Sequence, residues 1–158
     1  MRYLRPGRRG IGAALGVAFA AVGTLALAPA ATAVTPGTAT ITFDCGLYGK
    51  GKATLTATQN GTAATINVST SAITPPIDVA ANSVNSTLTL TRNGSGTIAF
   101  TGSSNPAIPA GSAVSTGPLK GTVAAGDRLA ATSLKVVVFG VTATCKATSA
   151  QSPGPFVF

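Results

Sequence analysis

The 158-residue sequence predicts an all-β protein: a two-sheet antiparallel Ig-like β-sandwich behind an N-terminal signal peptide. Three observations carry that expectation. Apolar and hydroxyl residues alternate over several short runs, turn-forming dipeptides separate the runs, and one early and one late cysteine frame them. Period two with β-branched enrichment marks half-buried strands, and no apolar stripe at helical spacing follows residue 34.

The runs come in order. Residues 38–45 place Ala39, Ile41, Phe43 and Cys45 on one face, with hydroxyls and Asp44 on the other. Residues 53–58, 64–68, 86–91 and 97–101 repeat the scheme, and 135–141 continues into 142–145. Asn60-Gly61 and Asn93-Gly94 are the strongest hairpin dipeptides, because both residue types tolerate positive φ. A hairpin of 53–58 with 63–69 is therefore expected. Pro75-Pro76, Asn105-Pro106, Pro109, Gly117-Pro118 and Gly126-Asp127 mark loops or edges. Many short strands at this spacing indicate a sandwich. A Cys45–Cys145 bridge would join first strand to last, which is not the usual inter-sheet pairing, and no Trp packs on it. The topology stays open.

Residues 1–33 have the three parts of a secretory signal. Arg2, Arg5, Arg8 and Arg9 form a positive leader, 11–27 carries no charge, and Ala31-Thr32-Ala33 supplies small residues for cleavage before Val34. The alternative is an uncleaved anchor, since the apolar run is at the lower edge of a spanning length. Arg8-Arg9 also fits a twin-arginine signal, although Gly10 follows in place of a bulky apolar residue. The expected organisation is a signal at 1–33, a β-domain at 34–151 and an apolar tail at 152–158. That tail reads as a final short edge strand or a loose end, with an apolar docking peptide as the functional alternative.

Cleavage changes the charge argument. The whole chain carries +8; the mature part keeps seven basic residues against three acidic ones, a net +4. The seven are Lys50, Lys52, Arg92, Lys120, Arg128, Lys135 and Lys146, scattered and without interleaved aromatics. A nucleic-acid partner needs a clustered basic face, and none is visible. No stretch after Ala33 is apolar enough to span a membrane as a helix.

The only cysteines, Cys45 and Cys145, each share parity with apolar neighbours at the end of an alternating run. In an exported chain the expected state is one buried disulfide. Two free thiols or an intermolecular bridge are the alternatives.

Catalytic chemistry has little to work with. The sequence has no His and no Glu, and Asp44, Asp78 and Asp127 are dispersed among different expected elements. The expectation is no catalytic residue, no metal site and no cofactor. A Ser–Lys pair is not isolated by any motif. The Asn-x-Ser/Thr sites at Asn60, Asn67, Asn85 and Asn93 matter only in a eukaryotic secretory host. Phe43, Phe100 and Phe139 fall in strand runs and are expected in the core, which leaves Tyr48 as the one available aromatic of the loop 46–52. Outward Thr rows suit an ordered ligand surface, but Thr is also an ordinary solvent-face strand residue. Candidate surface contacts are Tyr48, Lys50, Lys52, Lys120, Phe156 and Phe158.

Cys45, the run Ile73-Thr74-Pro75-Pro76-Ile77-Asp78-Val79, Ala107-Ile108-Pro109-Ala110-Gly111 and Thr142-Ala143-Thr144-Cys145 carry a resemblance. Over most of 38–146 the chain resembles secreted proteins of high-GC Gram-positive (actinobacterial) bacteria that hold a β-rich domain of unknown function. The resemblance implies export and a sandwich, and it supplies no catalytic residues. The chain lacks the long Pro/Thr-rich extension of that group, which argues against a wall-spacer role.

The functional expectation is an exported, non-enzymatic module that binds or builds the cell envelope, secreted or wall-associated. Its partner would be an envelope component or a protein, and its oligomeric state is open. Cys45 lies too far from the cleavage site for a lipobox. The rival expectation is a secreted protease inhibitor that presents Lys120 from an exposed loop at 115–122.

Overall fold

The computed structural model describes residues 33–158; the leader and Ala31 of the cleavage site lie outside them. Ala33 is exposed, and Val34 is already packed in the core. The strands are β1 (Thr38–Asp44), β2 (Lys50–Asn60), β3 (Ala63–Thr70), β4 (Asn85–Arg92), β5 (Gly96–Gly102), β6 (Val114–Thr122), β7 (Arg128–Val138), β8 (Val141–Ala147) and β9 (Phe156–Val157). A short 3-10 turn, Gly46–Tyr48, links β1 to β2.

The sheet runs β4-β5-β6-β3-β2-β1-β8-β7, and β7 then pairs with β4 from Asn85↔Val137 to Arg92↔Leu129. The two ends of the sheet meet. The fold is a closed antiparallel barrel of eight strands, and the expected two-sheet sandwich is wrong. Alternation reports that each strand has one dry face; it does not report whether the outer strands find each other. Closure removes the free edges that a sandwich would have to protect.

The interior is built by the predicted parity. Ala39, Ile41, Phe43, Leu55, Ile66, Leu88 and Leu90 all point inward and are buried. On β7 the parity breaks: Leu129 and Ala131 are buried, then Leu134, because a bulge opposite Thr89/Leu90 inserts one extra residue. The expected hairpin of β2 with β3 forms, but its two-residue loop is Gly61-Thr62, with Gly61 at φ 60 in first position. Asn93-Gly94 does sit at the centre of its turn, with φ 54 and 84.

Two segments depart from the sequence reading. The stretch 115–122, expected as an inhibitory loop, is strand β6, and it hydrogen-bonds to β3 along most of its length. Lys120 faces Thr65 on one side and Thr101 on the other, so it has no loop from which to enter a protease pocket. Gly117 hides the strand: it sits in a bulge at φ 66, where a Cβ would collide with the Ser104 carbonyl oxygen.

The second departure is the C-terminus. Ser152 pairs with Thr40, Val157 with Thr35, and Phe156 with Leu129, so β9 continues the place of β8 alongside β7. Gln151 fills the gap between them by accepting the Ala131 N–H at 3.0 Å. Phe156 is fully buried and Phe158 is 7% exposed, and the Phe158 ring lies 6.5 Å from Phe100 and 6.3 Å from Phe156. These rings close the base of the barrel. The segment 152–158 does end in a short strand, but it is flanked on both sides and is not an edge, and Phe156 and Phe158 are withdrawn as surface contacts.

At the same base, Asp127 is buried and receives Arg92 Nε at 2.8 Å and the Ala124 N–H at 2.7 Å. The Arg92 hydrogen bond leads in holding its carboxyl below the ordinary value, and the Ala124 N–H adds to it. A carboxyl depressed in the folded state stabilises above its unfolded pKa and loses that contribution as pH falls through the folded one. Stability is therefore expected to decline below about pH 4. Urea titrations across acid pH should show Asp127→Asn less acid-sensitive than the wild type. Equal slopes would contradict this role for the carboxylate.

Candidate functional site

The barrel is packed tightly at one end and loosely at the other. Towards the base the inward side chains are large: Leu55, Ile66, Leu90, Phe100, Leu119 and Leu129 are fully buried. Towards the opposite end Gly51, Ala53, Ser86 and Ala143 stand among Phe43, Val68 and Val136, and the centre of the barrel, filled at the base by Phe100, Phe156 and Phe158, is left open. A cavity of about 520 Å³ results, opening at this end, which we call the mouth.

Its floor lies at the level of Phe43, Val68, Leu134 and the disulfide. Cys45 and Cys145 are bonded to each other and buried, as parity predicted, so the cross-link ties β8 to the end of β1 beneath the cavity. Two hydroxyls complete the floor. Thr116 Oγ1 accepts the Val68 N–H at 3.1 Å and donates to the Gly117 carbonyl at 2.8 Å. Ser86 Oγ is buried with no hydrogen-bond partner. Among the described residues, no charged side chain lines the cavity.

Walls and rim come from connections. The segment between β3 and β4 brings Ile73, Pro75, Pro76 and Ile77 across the mouth. Asn105, 1% exposed, pins that segment: its Oδ1 accepts the N–H groups of Ser83 and Val84, each at 2.9 Å, and its Nδ2 donates to the carbonyls of Ala80 and Pro106. A Val79↔Ile108 bridge and an Ala110 N–H bond to Asp78 Oδ1 at 2.8 Å hold the same wall. Opposite, the β7–β8 hairpin turns on Phe139-Gly140, at φ 53 and 75. This sets Phe139 at the rim, 61% exposed, where a core position was expected. Phe139 belongs to the tip because the run 135–141, read as one strand, is the end of β7 and the start of β8 with Phe139-Gly140 as the turn between them.

Of the predicted contacts, the structure gathers Tyr48, Lys50 and Lys52 at the mouth. Tyr48 lines the opening and is half exposed, and both lysines are exposed at the start of β2. Lys120, Phe156 and Phe158 lie towards the base. Sequence reasoning missed the cavity itself, Asn105 and the rim. One signal of the rim was readable in retrospect: a two-residue gap ending in Gly between Val138 and Val141. Among the described residues, no group of His, Cys, Asp or Glu gathers that could hold a metal ion.

Fold and site together define a disulfide-bonded antiparallel β-barrel with an apolar cavity open at one end. Comparison with protein-family models, curated proteins and solved structures gives no match.

Proposed function

We propose that this chain is an exported, non-enzymatic binding protein that holds an apolar small molecule in the barrel mouth. The observation that carries the reading is the cavity of about 520 Å³ with apolar walls and, among the described residues, no charged lining residue. That volume suits a small-molecule ligand, and burial of its apolar surface would supply the affinity. The disulfide fits an oxidising compartment, which supports the export read from the leader. Within that reading the protein works in the medium or beside the cell wall, and the ligand is an apolar component of the envelope or its surroundings.

Titration with a neutral apolar fluorophore such as N-phenyl-1-naphthylamine tests the reading. The fluorophore should bind with about micromolar affinity and a blue-shifted emission. Ala143→Trp, which fills the mouth, should weaken uptake about tenfold or more while circular dichroism stays unchanged. An unchanged spectrum on adding wild-type protein would sink the proposal.

A further inference from the structure

The mouth carries an unusual surface. Leu47 is fully exposed at the apex of the 3-10 turn, and Tyr48, Ile77, Phe139 and Val141 are each about half exposed around the same opening. These are the large exposed apolar residues among the described ones, and all of them lie at one end of the barrel. Single exposed apolar residues are ordinary; a ring of them around an apolar opening is not. Phe139 adds a second, independent signal. It sits at φ 53, a region that favours Gly and Asn and is a true outlier for a bulky side chain. Backbone strain that places an aromatic ring in water is the kind of local cost found at working surfaces.

From these observations we infer that the mouth rim docks onto an anionic lipid surface, with Leu47, Tyr48, Ile77 and Phe139 entering the interface. Four of the five rim residues also line the cavity, so docking joins the lipid phase to the cavity without an intervening layer of water. Charge selects the partner. Lys50, Lys52, Lys135 and Lys146 are exposed on β2, β7 and β8, the strands that lead to the rim. Asp44 and Asp78, the acids of this end, each accept a backbone N–H, from Gly46 and Ala110. A second copy docked mouth to mouth would bring Lys50 and Lys52 towards their own copies, whereas anionic headgroups complement them. The inference goes beyond ligand binding and does not require it.

The test is cosedimentation of protein secreted from cells expressing the full chain. Vesicles contain phosphatidylcholine with a minority of phosphatidylglycerol, or phosphatidylcholine alone. Wild-type protein should bind the anionic vesicles more tightly, and added salt should narrow the difference. Leu47→Asp with Phe139→Asn should weaken binding at least about tenfold. Phe139→Asn alone creates a favoured Asn-Gly turn, so it should raise the melting temperature while lowering vesicle binding. A purely structural Phe139 would not separate those two readouts. Vesicles ignored by the wild type, or bound equally by the double variant, overturn the inference, as does mouth-to-mouth dimerisation without lipid binding. Uptake of the neutral fluorophore is measured beside it. Fluorophore bound and vesicles ignored removes the docking alone; vesicles bound through the rim and fluorophore ignored removes the cavity reading alone.

Discussion

Cys45→Ala combined with Cys145→Ala is expected to lower the unfolding free energy by roughly 2–5 kcal/mol. The bridge spans a sequence separation of 100, so it removes much of the loop-closure freedom of the unfolded chain. It also sits where the barrel wall is least regular. β1 and β8 pair only at Phe43↔Ala147 and Asp44↔Lys146, and beyond them the wall is made by the irregular segment after β8. There the Thr148 N–H donates to the Thr42 carbonyl at 2.8 Å, and Thr40 exchanges hydrogen bonds with Ser152. Losing the cross-link should therefore raise amide exchange first along this seam and leave strand content intact. Urea unfolding of oxidised wild type and variant measures the difference. Non-reduced intact mass should show two hydrogens fewer than the reduced protein. A stability change well under 1 kcal/mol would contradict the entropic argument.

Asn105→Ala carries the second large effect, a loss of about 2–4 kcal/mol. The side chain is almost wholly buried and makes four hydrogen bonds, all to backbone. Alanine leaves two N–H groups and two carbonyls without those bonds in a region that excludes water, and unmade buried bonds cost more than made ones contribute. Asp is the sharper comparison. It keeps the acceptor for Ser83 and Val84 but turns a donor towards the Ala80 and Pro106 carbonyls into a charged oxygen. Both variants should loosen the wall formed by Val79, Val84 and Ile108, so fluorophore uptake should fall along with stability. A wild-type denaturation midpoint for Asn105→Ala would show that the mouth does not depend on this side chain.

Much of the strand content was legible in the sequence, since alternation is a direct consequence of a strand with one dry face. Ile41, Leu55, Ile66 and Leu88 followed it, and so did the inward parity of both cysteines. What was lost was lost for identifiable reasons. β6 contains Gly117 and Pro118, residues that usually end strands, and only the bulge in the fold reconciles them with pairing. The first half of β7 was hidden because its bulge shifts the apolar parity midway. Closure depended on β4 meeting β7, a contact between distant segments that no local pattern encodes. The cavity was less visible still. It arises from what inward side chains fail to fill, and single strands do not report how far away the opposite wall stands. The sandwich expected from a resemblance to exported actinobacterial proteins is overturned by the same closure.

An apolar molecule is expected to enter the mouth and stop above the packed base. Amide chemical-shift mapping during titration with a neutral apolar ligand tests it most directly. The account predicts shifts clustered on Val68, Thr116, Val136 and Ala143, all of which line the cavity, with Leu90, Leu129 and Phe156 unmoved at the base. Perturbations confined to the base, or none at saturating ligand, would contradict it.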